Sequence, residues 1–253
     1  MQIANNTILI TGGATGIGLA LAEALLQAGN DVLICGRRAD KLREAQLRLP
    51  QLRVRVCDVA VAADRAALCA WALAEAPRLN VLINNAGVQR EIDFARHPEA
   101  LAGGASEIAI NLEAPLHLTA LLLPHLRQQP AAAIVNVSSG LAFVPLTRAP
   151  VYSATKAALH SFSISLRHQL RDTPVRVFEI IPPIVDTDLD QGARAQRGQT
   201  ARGLTPAQVA TATLDALRRD TYEAPVGLAR VLRLGSRFAP GRFLKIINRI
   251  TKS

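Results

Sequence analysis

The stretch Thr7-Ile8-Leu9-Ile10-Thr11-Gly12-Gly13-Ala14-Thr15-Gly16-Ile17-Gly18-Leu19-Ala20-Leu21-Ala22-Glu23-Ala24-Leu25-Leu26 decides how the chain is read. A short apolar run rich in β-branched residues reads as a buried strand, glycines punctuate a turn, and the apolar residues that follow recur at helical spacing. Strand, glycine turn and helix in that order open a βαβ unit. Glycines there let the backbone approach a pyrophosphate, and the helix N-terminus offers free N–H groups and a partial positive charge. The spacing is not G-x-G-x-x-G, because three residues separate Gly12 from Gly16. A tight turn without a ligand would use the same glycines, but the position at the first strand-to-helix turn favours a phosphate loop.

The alternation continues outward. Apolar runs at residues 32–35, 54–57, 81–83, 133–137 and 176–181, with a weak one near 222–226, predict further strands. Segments of helical period lie near 16–28, 41–49, 62–76, 105–127, 154–171 and 206–219. With right-handed crossovers this series builds a parallel sheet covered by helices on both faces, a doubly wound α/β fold. At 253 residues, 49% apolar and 19% charged, the chain suits one domain with one core and is too apolar for disorder. That domain is read over residues 1–227, with residues 228–253 as a basic amphipathic extension packed on the domain or on a partner subunit. The polar stretch 186–203 reads as a loop beyond a strand's C-terminal end, where such sheets bind ligands.

Composition narrows the function. The longest apolar stretch, 112–126, is interrupted by Glu113, His117 and His125, short of the roughly 18 uncharged residues a membrane-spanning helix needs. The residues Met1-Gln2-Ile3-Ala4-Asn5-Asn6 lack the basic and apolar regions of a secretory signal, so the expected compartment is the cytoplasm. Cys35, Cys57 and Cys69 have no metal-ligand spacing and read as small buried hydrophobes, and no metal is expected. His160 and His168, on one helix, read as interface or surface residues. The net charge of +9 suggests nucleic acid until it is located: seven of the 29 basic residues, and no acidic one, lie after Glu223. The body is nearly neutral, and nucleic acid is not an expected partner.

Beyond the glycine turn, the second strand runs into Gly36-Arg37-Arg38. An acidic residue there would bind the ribose hydroxyls of NAD, whereas arginine accommodates a 2′-phosphate, so NADP(H) is favoured over NAD(H), with Arg37 as the contact. Capping the next helix is the competing use of these arginines. Asp58, after the third strand, can accept from an adenine amino group or cap the helix that follows. The chain has only four lysines and two tyrosines, and one of each stands in Tyr152-Ser153-Ala154-Thr155-Lys156. Residues four apart share a helix face, so the ammonium can stand beside the phenol. A phenol that ionises near 10 needs about 4 kcal/mol of help to act as an acid/base near pH 7, and a neighbouring cation supplies much of it. The fifth strand ends in Asn136-Val137-Ser138-Ser139-Gly140. A serine there projects into the crevice, where its hydroxyl can hold a carbonyl oxygen, although turn serines occur at any strand exit.

Together, Thr11 to Gly18, Asn84-Asn85-Ala86-Gly87, Asn111, Ser139, Tyr152, Lys156 and Pro182-Pro183-Ile184-Val185-Asp186-Thr187 resemble the short-chain dehydrogenase/reductase family over about residues 5–227. The resemblance implies a Rossmann-type fold with a seven-stranded parallel sheet and an NAD(P)(H)-dependent oxidoreductase interconverting a carbonyl and a secondary alcohol. It implies a tetrad: Tyr152 as acid/base, Ser139 hydrogen-bonding the reacting oxygen, Lys156 lowering the tyrosine pKa and binding the nicotinamide ribose, and Asn111 holding a water for proton relay. Further cofactor contacts implied are Thr11, Gly12, Thr15, Gly16, Ile17 and Gly18 in the glycine turn, then Arg37, Asp58 and Val59. After the fourth strand come Asn85, Ala86 and Gly87, with Asn85 the better direct contact, and after the sixth Pro182, Val185 and Thr187. Pro183 replaces the family's glycine and removes an amide donor. The Pro-Pro-x-Val-Asp-Thr form is similar to a bacterial branch of DltE-like oxidoreductases.

The pocket implied in this way is mainly apolar, with Val88, Gln89, Leu141, Phe143, Val144, Ile184 and parts of 186–203, and suits a hydrophobic ketone or secondary alcohol. Arg90 and Arg148 read as solvated. The helices near 105–127 and 154–171 carry more apolar positions than one buried face requires, including Leu116, Leu121, Leu122, Leu159, Phe162 and Leu166. In the resembling family they pair across a twofold axis, so a homodimer or homotetramer is expected. In the extension, apolar residues recur at helical spacing with basic ones between them, and packing on a subunit is favoured over contact with a membrane. A dinucleotide-sensing protein without chemistry is the other reading of the fold, and such proteins usually lack the tyrosine or lysine found here.

Overall fold

The computed structural model describes residues 1–96, 99–104, 106–189 and 203–250. Seven strands, β1 (Thr7–Thr11), β2 (Asp31–Gly36), β3 (Arg53–Val56), β4 (Leu79–Asn84), β5 (Ala132–Val137), β6 (Val175–Ile181) and β7 (Glu223–Pro225), form one sheet in the order β3-β2-β1-β4-β5-β6-β7. Every pairing is parallel. The helices are α1 (Gly16–Gln27), α2 (Ala39–Arg48), α3 (Ala62–Glu75), α4 (Ala114–Leu126), α5 (Pro150–Gln169), α6 (Pro206–Arg218), α7 (Ala229–Phe238) and α8 (Pro240–Ile250). β7 is one of the two edge strands, where proline is tolerated, and its brevity explains its weak sequence signal.

Successive side chains of a strand point to opposite faces, so each central strand feeds two cores. Ile8, Ile10, Val32 and Ile34 pack with Leu21 and Leu25 of α1, Leu42 of α2 and Leu214 of α6. Leu9, Leu33 and Leu82 pack on the other face with Leu68 of α3, Leu118 of α4 and Leu166 of α5. Burial on both faces is why these strands read as unbroken apolar runs. Cys35, Cys57 and Cys69 are buried free thiols.

Two helix starts differ from the periodicity. α5 begins at Pro150 instead of near residue 154, because proline fits the first helical position, where its missing N–H is no loss. Tyr152 thereby enters the first turn of the helix that also carries Lys156. Ahead of α4 the chain makes a π turn, Ala109–Glu113. The carbonyl of Asn111 would take its regular α-helical bond from the N–H of residue 115, and Pro115 has none. The sequence reading started this helix at residue 105, which lies outside the described residues.

A buried polar chain sets the height of α5 on the sheet. Asn84 Nδ2 donates to Asn136 Oδ1 at 2.9 Å, Asn136 Nδ2 donates to Ser163 Oγ at 2.9 Å, and the Ser163 hydroxyl donates to Leu159 O at 2.7 Å. It crosses β4, β5 and α5 beneath the tyrosine and lysine. After β7 the chain folds back on its own domain through α7 and α8. Asn248 Oδ1 accepts from Thr147 N and Thr147 Oγ1, each at 2.7 Å. Among the described residues no helix is long and apolar enough to cross a membrane.

Candidate active site

The strand order reverses between β1 and β4, so the connections leaving these neighbours run to opposite sides and open a crevice at their C-terminal ends. Thr11, the last residue of β1, bridges it. Its hydroxyl accepts from Asn85 N at 3.0 Å and Ala86 N at 3.1 Å, while Asn85 Nδ2 donates to Thr11 O at 3.0 Å and Gly12 O at 3.1 Å. Both amide hydrogens of Asn85 are thus committed, and the side chain expected to contact a cofactor braces the glycine turn through its nitrogen. Gly12 sits at φ +64°, and a Cβ there would lie 2.9 Å from Ala86 Cα. A Cβ on Gly18 would lie 2.2 Å from Gly12 O, so α1 can start this close to the turn only without one. Thr11 and Gly18 support the cradle from behind, while Gly12, Thr15, Gly16 and Ile17 face the cavity in front of it.

That cavity, of about 580 Å³, is the size of a small-molecule site. Gly36, Arg37 and Arg38 edge it on the β2 side, and Arg38 Nη2 donates to Thr15 Oγ1 at 3.1 Å. Arg37, the expected contact, lines the cavity, and Arg38 is held against the cradle beside it. Val59 also lines the cavity. Asp58 does not: its Oδ1 accepts from Ala60 N at 3.0 Å to close a local turn, and its own N–H donates to Asp64 Oδ2 at 2.8 Å. It does not cap α3 either, which starts after Val61.

At the far end stand Ser139, Tyr152 and Lys156. Lys156 is 4% exposed, its Nζ donates to Val137 O at 2.9 Å, and it lies 5.6 Å from the centre of the Tyr152 ring. Burial pulls its pKa from 10.5 down to about 8, partly opposed by the Glu179 carboxylate. Glu179 is itself fully buried and lies 2.7 Å from His160 Nδ1, whose pKa it raises, so His160, expected at an interface or the surface, is half-buried and partners an internal carboxylate. Ser139 Oγ accepts from Leu141 N at 3.1 Å, which fixes the oxygen and leaves its proton to donate into the cavity. Ser138 Oγ, buried on the same wall, has no hydrogen-bond partner among the described residues. Asn111 is fully buried: Oδ1 accepts from Val88 N at 2.9 Å, and Nδ2 donates to Val88 O at 2.8 Å and Thr155 Oγ1 at 3.2 Å. Its amide is spent on structure, so any relay through it uses the carbonyl that Pro115 leaves without its regular donor. A Cβ on Gly87 would come within 3.4 Å of Asn111 Oδ1 and 3.7 Å of Lys156 Nζ, so the bare glycine keeps that space open.

Ala86, Gly87, Pro182, Val185 and Thr187 complete the lining. The glycines, the helix N-terminus, the two arginines and the unpartnered serine fit a long phosphorylated ligand with a polar end group. Of the residues expected around a substrate, Val88, Gln89, Leu141 and Ile184 line the cavity, and residues 190–202 lie outside the described ones. Phe143 packs edge-on against His160 instead, and Val144 is buried off the wall. Arg90 donates to the carbonyls of Ala100 and Gly103, and Arg148, on the wall, pairs with Glu91 at 2.9 Å, so neither is merely solvated. Leu228, Leu232 and Ile247 were missed by the sequence reading and form part of the cavity wall.

The sequence profile described as short chain dehydrogenase matches residues 6–198. The chain belongs to the short-chain dehydrogenase family. It is 55% identical over 223 residues to the oxidoreductase DltE of Bacillus subtilis (strain 168), covering 88% of each chain. It is 30% identical over 214 residues, 81% of this chain and 86% of the other, to the NADP-dependent 3-hydroxy acid dehydrogenase YdfG of Escherichia coli (strain K12). Among solved structures, a short-chain dehydrogenase from Burkholderia cenocepacia J2315 in complex with NADP superposes with a TM-score of 0.82 at 27% identity, over 98% of this chain and 99% of that one. The dehydrogenase fold here hangs on the Asn85 brace. Asn85→Ala should cost about 1 to 3 kcal/mol, since it removes two hydrogen bonds and leaves two backbone carbonyls short of a donor. Urea unfolding measures this, and a loss below about 0.5 kcal/mol would show that the brace is dispensable.

Proposed function

We propose that this chain is an NADP(H)-dependent oxidoreductase that interconverts an apolar ketone and the matching secondary alcohol. The observation carrying this reading is Lys156, a buried cation one helical turn beyond Tyr152, in a cavity whose other end is a glycine cradle. The NADP-dependent relative and the NADP-bound structural neighbour support the choice of cofactor.

When bound, the nicotinamide ring supplies or accepts the hydride. The remaining work falls to the chain. In reduction, the Tyr152 hydroxyl gives its proton to the carbonyl oxygen as that oxygen gains charge, and the Ser139 O–H, its oxygen held by Leu141 N, donates to the same atom. The Lys156 ammonium lowers the cost of the phenolate left behind, and its N–H groups beyond the one given to Val137 O are available to a ribose. In oxidation the phenolate takes the alcohol proton. The apolar side chains of Leu141, Ile184 and Leu232 exclude water from the reacting atoms. We read the assembly as a homodimer or homotetramer built on α4 and α5. Leu122, Leu159 and Leu166 belong to the chain's own core, but Leu121 and Ile164 remain 46% and 45% exposed on these helices.

Tyr152→Phe should reduce turnover by about 10²- to 10⁴-fold while leaving NADPH affinity within a fewfold, and retention of more than about a tenth of the rate would remove Tyr152 from the acid/base role. For the cofactor, a charge-assisted contact of Arg37 or Arg38 with a 2′-phosphate contributes about 1.5 to 3 kcal/mol, so NADPH should bind about ten- to a hundredfold more tightly than NADH. Replacing both arginines by alanine should bring the two affinities together, and equal affinities in the unaltered protein would sink the assignment. The Lys156 shift gives a pH test. A ligand that prefers the ammonium binds with constant affinity while the free protein's lysine is protonated, and more weakly as pH rises through about 8. NADPH affinity should therefore fall above about pH 8. Lys156→Ala should flatten that fall, and an unchanged profile in the variant would assign the titration elsewhere.

A further inference from the structure

We infer that the outer side of α7 and α8 is a docking surface for an anionic lipid bilayer. The inner side of these helices is spent within the chain. Ala229 and Leu232 pack against Gly140, Phe243 fills the space beside Gly235, and Asn248 holds residues 145 and 147. The outer side is different. Leu228, Val231, Leu234 and Phe238 recur three or four residues apart, and they are 57%, 49%, 59% and 85% exposed. On α8, Leu244 and Ile246 are 36% and 48% exposed. Arg230, Arg237, Arg242, Lys245 and Arg249 are exposed among them. Arg233 alone of the cations on these two helices has a carboxylate partner among the described residues, Glu223 at 2.8 Å, and no Asp or Glu occurs after Glu223.

An apolar stripe of this width bordered by cations is costly in water and complementary to a surface that is apolar below and anionic above. A second copy of the chain is a poor occupant. Twofold pairing sets the same patch against itself, so the cations of one copy would meet those of the other with no acidic side chain to offset them. Nucleic acid would engage the cations and leave Leu234 and Phe238 in water. A bilayer satisfies both components. Because Leu228 of the stripe also lines the cavity, docking brings that part of the cavity wall against the lipid, a route for an apolar ketone dissolved there. That last step rests on the proposed hydride-transfer reading, whereas the docking itself does not.

The test is co-sedimentation of the full-length protein with vesicles of phosphatidylcholine alone or mixed with phosphatidylglycerol, at low and high salt, with no turnover measured. The protein should pellet with the anionic vesicles at least about tenfold more strongly than with neutral ones and be released by salt. Phe238→Ser should weaken this through the apolar component, and the pair Arg237→Glu with Lys245→Glu through the charge. Melting temperature and NADPH binding in each variant show that the fold is intact. A protein that stays in the supernatant with anionic vesicles overturns the inference. So does an unaltered chain that light scattering shows to be oligomeric when Phe238→Ser lowers its mass, since the stripe would then be a subunit contact.

Discussion

The two hydrogen bonds that the Thr11 hydroxyl accepts from Asn85 N and Ala86 N tie β1 to the chain leaving β4 just beyond the last paired residues, where the two strands diverge. At a reversal of strand order the two central strands have no shared connection at their C-terminal ends, and a crevice there is a topological necessity. What is not necessary is that its walls keep a fixed spacing. Thr11 and Asn85 fix that spacing by satisfying each other's backbone, and Gly12, Thr15, Gly16 and Ile17 at the start of α1 line the cavity in front of them. The rest of the site is set from the same sheet by the Asn84-Asn136-Ser163 chain, which ties β4 and β5 to α5 and so to Tyr152 and Lys156.

Electrostatics then differentiate the ends of the cavity. At the cradle, exposed arginines and a helix N-terminus offer positive charge that water can compete for. At the other end Lys156 is buried, and its charge is sustained only in part by Glu179, which also carries the His160 ion pair. A cation held in this way gains from any neighbour that becomes anionic, which is the requirement for a phenol that cycles through phenolate.

Much of this was legible in the sequence because it is local. The strand, glycine turn and helix of residues 7–26 and the Tyr152–Lys156 spacing each declare themselves within a few residues. The parts that were not legible depend on partners far along the chain. Asn85 lines the cavity as expected, but only the fold shows that Thr11 and Gly12 take both of its amide hydrogens, and Asp58, read as an adenine contact or a cap, is held by Ala60 and Asp64 instead. Periodicity marked the extension as amphipathic, but it could not show that one side of it closes the cavity through contacts about a hundred residues apart, such as Asn248 with Thr147. Pro115 is a signal the sequence carries for the π turn, since a proline four residues after Asn111 removes that carbonyl's helical donor.

On the proposed reading, one dinucleotide spans the cavity from the arginines to Lys156. Titrating full-length protein with NADPH and following the fluorescence of the reduced nicotinamide ring tests it most directly. Saturation at one dinucleotide per chain is expected, with emission enhanced as the ring enters the apolar end, and a clear loss of affinity in Lys156→Ala. An absence of saturable binding, or binding of the same strength in that variant, would contradict it.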